Sequence, residues 1–166
     1  MLTLPELLTE DIEQFNDTLN ALLIHTEATT ALIMDKGGFL ITHQGDNQQF
    51  DLTTIAALAS GAFMANQTIA GLVREPNFNS VHQEGENLSL FAVNVDEHCL
   101  LLIVFEAKVG IGAVKYFAVP TAQKIADQLK LARLRNPSGG YDLSALNLAH
   151  SANLFQQKRP GASARL

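Results

Sequence analysis

Five histidines, one cysteine and the glycine pair of Gly110-Ile-Gly112 are the first places in this 166-residue chain to look for chemistry. His25, His43, His82, His98 and His150 are scattered, and none stands in a His-x-x-x-His or His-Glu-x-x-His pair. Zinc sites on helices use such spacings because they put two imidazoles on one face, within reach of one ion. The spacing here points away from a metal site, and neither a metal nor another cofactor is expected. Cys99 lies inside the apolar run Cys99–Phe105. Burial raises a thiol pKa and makes the sulfur inert, so Cys99 reads as a small core residue rather than a nucleophile. As the only cysteine it has no intramolecular disulfide partner. A seryl nucleophile would want Gly-x-Ser-x-Gly, which is absent. Gly110-Ile-Gly112 has the setting of a phosphate-binding loop, between a strand and a helix. Lys115 stands where a dinucleotide fingerprint needs its third glycine, and no Gly-Lys-Ser/Thr follows. The segment reads as a flexible turn. No catalytic residue is expected, and the chain is not read as an enzyme.

Composition narrows the alternatives. The chain is 47% hydrophobic and 17% charged, which describes one globular domain rather than a disordered chain. The seven-residue run Cys99–Phe105 is the longest uninterrupted apolar stretch, against about 20 residues for a bilayer span. No membrane span is expected. The opening Met1-Leu-Thr-Leu-Pro-Glu6 lacks the basic region of a secretory signal, and a cytoplasmic location is expected. A net charge of −6 argues against a nucleic-acid partner, which would select a basic face. Charge also divides the chain. Residues 1–135 hold 8 Lys/Arg and 16 Asp/Glu, whereas residues 136–166 hold three cations and Asp142. The loop formers of Arg135-Asn-Pro-Ser-Gly-Gly140 mark the same boundary. The reading is a folded body, 6–135, and a polar, basic tail, 136–166. The tail is expected to be flexible or to form a short amphipathic helix within Ser144–Phe155.

The body reads as helix, two strands, helix, three strands, helix. Leu8, Ile12, Phe15, Leu19 and Leu22 make one helical stripe within Pro5–Leu23. Thr30–Met34 and Phe39–Thr42 flank the turn Asp35-Lys-Gly-Gly38. These strands are apolar at successive positions, which predicts a sheet covered on both faces. A second helix is predicted over Leu52–Val73, capped by Asp51 and unusually rich in Ala, Gly and Ser. Small side chains admit a close neighbour, either this chain's own sheet or another molecule. Asn79–Gln83, Leu88–Val95 and His98–Phe105 read as three further strands, with Asn79–Gln83 at a sheet edge open to pairing. A third helix lies within Gly112–Leu134, begun or kinked at Pro120. The fold class is α+β: an about five-stranded, mainly antiparallel sheet, order α-β-β-α-β-β-β-α, with helices on both faces.

Gly38-Phe-Leu-Ile-Thr, Gly45-Asp and Ile55-Ala-Ala-Leu-Ala-Ser-Gly-Ala-Phe, in that order, resemble the roadblock family of dynein light chains. The likeness runs over residues 6–134 and is nearest to the bacterial MglB-type branch. It implies that the second helix covers one sheet face and the other two helices the opposite face. It further implies a homodimer made by side-by-side second helices and joined middle strands. The implied dimer residues are Ile55, Leu58, Ala59, Ala62, Ala65, Asn66, Ile69, Val81 and His82. Bacterial members regulate Ras-like small GTPases, by activation or exchange, from the face of the paired helices. The implied partner-binding residues are Ala57, Ser60, Gly61, Met64 and Gln67. One departure stands out. Arg74, at the end of the second helix, is the only arginine before Arg133, so no arginine finger is apparent on that helix. The expectation is a non-enzymatic homodimer that binds a small GTPase. A structural adaptor indifferent to nucleotide state is the alternative.

Overall fold

The computed structural model describes residues 4–46 and 48–135. The expected tail and His150 lie outside the described residues. Three helices and five strands follow in the expected order: α1 (Thr9–Thr26), β1 (Thr30–Asp35), β2 (Leu40–Gly45), α2 (Leu52–Leu72), β3 (Ser80–Gln83), β4 (Leu88–Asn94), β5 (Cys99–Glu106) and α3 (Ile111–Arg135). The strands form one sheet in the order β2-β1-β5-β4-β3, and every neighbouring pair is antiparallel. Both edges, β2 and β3, are therefore outer strands, as the sequence suggested for β3.

Alternation along the strands divides the core in two. Ala31 and Ile33 of β1, with Leu101, Ile103 and Phe105 of β5, point to the side where Phe15, Leu19 and Leu22 of α1 meet Ile125 and Leu129 of α3. Leu32 and Met34, with Leu100 and Leu102, point to the other side, under Ala56 and Phe63 of α2. Both faces are buried, which is why β1 and β5 read as unbroken apolar runs. Cys99 is fully buried in the first of these clusters, and burial pushes its thiol up. It occupies the core position expected of it.

The ends of α1 differ from the sequence reading. Pro5–Leu8 precede the helix, and Leu8 is its N-cap, 45% exposed rather than part of the buried stripe. The amide of Leu8 donates to Asp11 Oδ2 at 2.8 Å. Asp11 is fully buried and also accepts from Gln128 Nε2 at 2.7 Å and from Arg135. Through this one carboxylate the start of α1 is held to the end of α3. Pro120 does not begin α3. The helix runs through it, with Ala118, Thr121 and Ala122 buried on either side.

Candidate protein-docking face of the second helix

The docking candidate is α2, and its placement begins with a turn. Asp35 Oδ1 accepts from the Phe39 amide at 2.8 Å, closing the β1–β2 hairpin. Gly38 in this turn has φ +98°, and a Cβ there would stand 3.1 Å from the Ala57 Cα. Glycine supplies both the left-handed backbone and the close approach of turn to helix. Ser60 then donates to the Lys36 carbonyl at 2.6 Å. At the N-terminus Asp51 accepts from the Thr54 amide at 3.2 Å and from its hydroxyl at 2.6 Å. These contacts fix one flank of α2 along the end of the sheet that carries the β1–β2 and β4–β5 turns.

Leu52, Ala56, Ser60, Phe63 and Ala70 are the buried residues of the helix. From Leu52 to Val73 no residue is charged. What is left outside is apolar or small. Leu58 is 70% exposed and Leu72 79%, and Met64 and Ile69 are also exposed. Among the described residues α2 is the one helix long and apolar enough to cross a membrane by length and composition. Its Phe63 side is seated in the core of the antiparallel sheet, so only the outer face is open.

The expected site residues fall on this helix as follows. At 100° per residue, Ile55, Leu58, Ala59, Ala62, Ala65, Asn66 and Ile69 share one flank, and Ala57, Gly61, Met64 and Gln67 lie on the other. Leu58, Ala62, Ala65 and Ile69 are exposed, whereas Ile55, Ala59 and Asn66 are half-buried. Ala57, Gly61 and Met64 are exposed too. Ser60 corrects the expectation. It is buried and its hydroxyl is spent on Lys36, so it positions the helix and is closed to a partner. Gln67 is also engaged within the chain: Nε2 donates to the Phe78 carbonyl at 2.6 Å and Oε1 accepts from the Phe78 amide at 3.2 Å.

On β3, Val81 and His82 point to opposite faces. Val81 is half-buried and packs against the α2 cluster. His82 is exposed on the other face, its ring stacked on Phe105 at 6.0 Å.

Beside Met64 and Gln67 a recess of about 530 Å³ opens, lined also by Lys36, Asn94, Asp96 and Glu97. Sequence reasoning missed it, because its walls come from four separated segments. Asp96 Oδ1 accepts from the amides of His98 and Cys99, both at 2.8 Å, and Oδ2 meets Arg133 Nη2 at 3.0 Å. Burial pushes the Lys36 ammonium below its usual range, against the pull of Asp96 and Glu97. Among the described residues no three His, Cys, Asp or Glu side chains converge as a metal site would need. The face has apolar area at its centre and polar groups at its margin, a pattern that protein interfaces share.

The model of one family, the Roadblock/LC7 domain, matches residues 14–105. Solved structures of similar shape include an MglB with tetrameric arrangement, 27% identical over 80% of this chain and 99% of that one, with a TM-score of 0.74. The gliding protein MglB of Thermus thermophilus is 27% identical over 78% of this chain and 98% of its own, with a TM-score of 0.72. Myxococcus xanthus MglB, at 24% identity, shares the fold over 76% of this chain and 96% of that chain, with a TM-score of 0.72. No curated protein matches the sequence.

Proposed function

Since this chain belongs to the Roadblock/LC7 family, we propose that it is a homodimeric, non-enzymatic regulator of a Ras-like small GTPase. One observation carries the reading: a helix without a charged residue from Leu52 to Val73, set on this fold with both of its flanks open. Exposed apolar area of this kind is what an interface uses. The flank of Leu58, Ala62, Ala65 and Ile69 is assigned to a second copy, with the unpaired edge of β3 continuing the seam. The flank of Ala57, Gly61 and Met64 is assigned to the GTPase. The likeness to MglB proteins supports the assignment.

The helix brings no lysine or arginine that could enter another protein's phosphate site. If hydrolysis is promoted, the mechanism is to order the GTPase's own residues. Such action requires unequal affinity for the two nucleotide states, because a ligand shifts an equilibrium only by its differential binding. The same absence of charge favours a second reading, an adaptor that holds a complex together whatever the nucleotide.

Titration calorimetry separates the two. A Ras-like GTPase from the same genome is loaded with GDP or with a non-hydrolysable GTP analogue and titrated with the full chain. Regulation requires affinities differing by about tenfold or more, equivalent to about 1.4 kcal/mol. Equal affinities leave the adaptor, and absence of binding in both states removes the GTPase from the account.

A further inference from the structure

The distribution of charge across the sheet describes the partner. Eight Lys and Arg lie among the described residues, and six of them, from Lys108 to Arg135, belong to α3 or the turn before it. That helix packs with α1 on the sheet face opposite α2. Only Lys36 and Arg74 stand elsewhere, while fifteen Asp and Glu precede Lys108.

Around the uncharged α2 the carboxylates form a margin. Asp51 stands at its start and Glu75 just past its end. Asp96 and Glu97 edge the recess beside Met64. Asp35 closes the turn that brings Gly38 under Ala57. The two cations of this side are each flanked by acid: Lys36 lies in the recess with Asp96 and Glu97, and Arg74 precedes Glu75. Asp35, Asp51 and Asp96 are held in place by bonds within the chain. The side chains of Glu75 and Glu97 are exposed and make no ion pair among the described residues.

We infer that the protein docking on α2 presents an apolar centre surrounded by Lys and Arg, and that this basic margin steers its approach. The inference rests on the reading of α2 as the docking face for the GTPase, and it adds the chemistry of that partner. Marginal charges stay in water, so they act on the rate of encounter more than on the lifetime of the complex. Opposite signs on the two surfaces raise association rates by about 10- to 1,000-fold at low salt, and screening removes the gain. Asp96 and Glu97 edge the recess on the Met64 flank, away from the Leu58, Ala62, Ala65 and Ile69 flank assigned to a second copy, so this part of the margin faces the other partner.

The test is stopped-flow association of the full chain with a purified Ras-like GTPase of the same genome, at about 20 and about 300 mM NaCl, which spans the Debye length of roughly 20 to 6 Å. The wild type is expected to associate about tenfold more slowly at the higher salt. Glu75→Lys/Glu97→Lys is expected to associate about tenfold more slowly at low salt, with dissociation within about twofold of wild type. Glu13→Lys/Asp17→Lys makes the same change in net charge on exposed positions of α1, on the opposite face. It should leave the rate within about twofold. Circular dichroism confirms the fold of both variants. Unchanged association by Glu75→Lys/Glu97→Lys, or equal slowing by both variants, overturns the inference while the GTPase reading stands. Failure of the wild type to bind in either nucleotide state overturns both.

Discussion

The side-chain amide of Gln67 is paired with the backbone of Phe78 on both of its groups, as one strand pairs with another. Nε2 donates to the Phe78 carbonyl at 2.6 Å, and Oε1 accepts from the Phe78 amide at 3.2 Å. Phe78 is two residues before β3, so this pair fixes the edge strand relative to the helix above it. If α2 and β3 form one seam, Gln67 sets the geometry of that seam from within the chain.

Gln67→Ala is expected to cost about 2 kcal/mol, since two partly buried hydrogen bonds are lost and the Phe78 groups are left to water. Gln67→Glu keeps the acceptor but sets a carboxylate against the Phe78 carbonyl, and is expected to cost at least as much. Urea denaturation of the three proteins measures both, and a change under about 0.5 kcal/mol for Gln67→Ala means that the pair is incidental.

Asp11 supplies a pH dependence. Burial alone would raise its carboxyl, but donation by Arg135, the Leu8 amide and Gln128 outweighs burial and holds it below the usual carboxylate range. A depressed native pKa stabilises the fold above the unfolded value of about 3.9 and loses that contribution as pH falls through the native value. Asp11→Asn is expected to cost about 3 kcal/mol at pH 7, because Arg135 loses its buried counter-charge. The gap between variant and wild type should narrow below about pH 4. A gap independent of pH would show that Asp11 acts by shape alone.

These two residues also show where the sequence stops being readable. The order of elements and the doubly covered sheet followed from local pattern: the run Cys99–Phe105, the hairpin at Gly38 and the stripe of Phe15, Leu19 and Leu22. Asp11 reads as an ordinary acid in a first helical turn, because Arg135 is 124 residues away in sequence. Ser60 fails for the same reason. In a helix of small residues it reads as open surface, but its hydroxyl meets a carbonyl 24 residues earlier. The recess beside Met64 is assembled from four segments and has no local signal. Identity of type is legible along the chain, and contacts of long separation are not.

Gly38→Ala tests how tightly the hairpin is seated under α2. Alanine would hold φ +98° against its preference and bring a methyl to 3.1 Å from the Ala57 Cα. A loss of about 1–3 kcal/mol is expected. If the turn moves away from Ala57 instead, the Ser60–Lys36 bond breaks with it. Hydrogen exchange then rises at residues 36–39, which urea denaturation alone would not distinguish.

The division of α2 into two flanks makes the sharpest prediction, because it requires two losses to be separable. Ala62 and Ala65 are exposed in the single chain, so glutamate at either position is accommodated in the folded monomer. In a seam of paired helices the same glutamate overpacks the contact and buries an unpaired charge. Ala62→Glu and Ala65→Glu are expected to fold normally and to run as monomers by light scattering. Met64, also exposed, lies on the opposite flank beside the recess. Met64→Asp is expected to remain a dimer and to lose affinity for the GTPase by about tenfold or more, since it removes apolar contact and buries an unpaired charge in the apolar centre of the contact. If both glutamate variants stay dimeric, the seam is not on this helix. If Met64→Asp dissociates the dimer, the two flanks form a single surface, and the GTPase must be sought on another face.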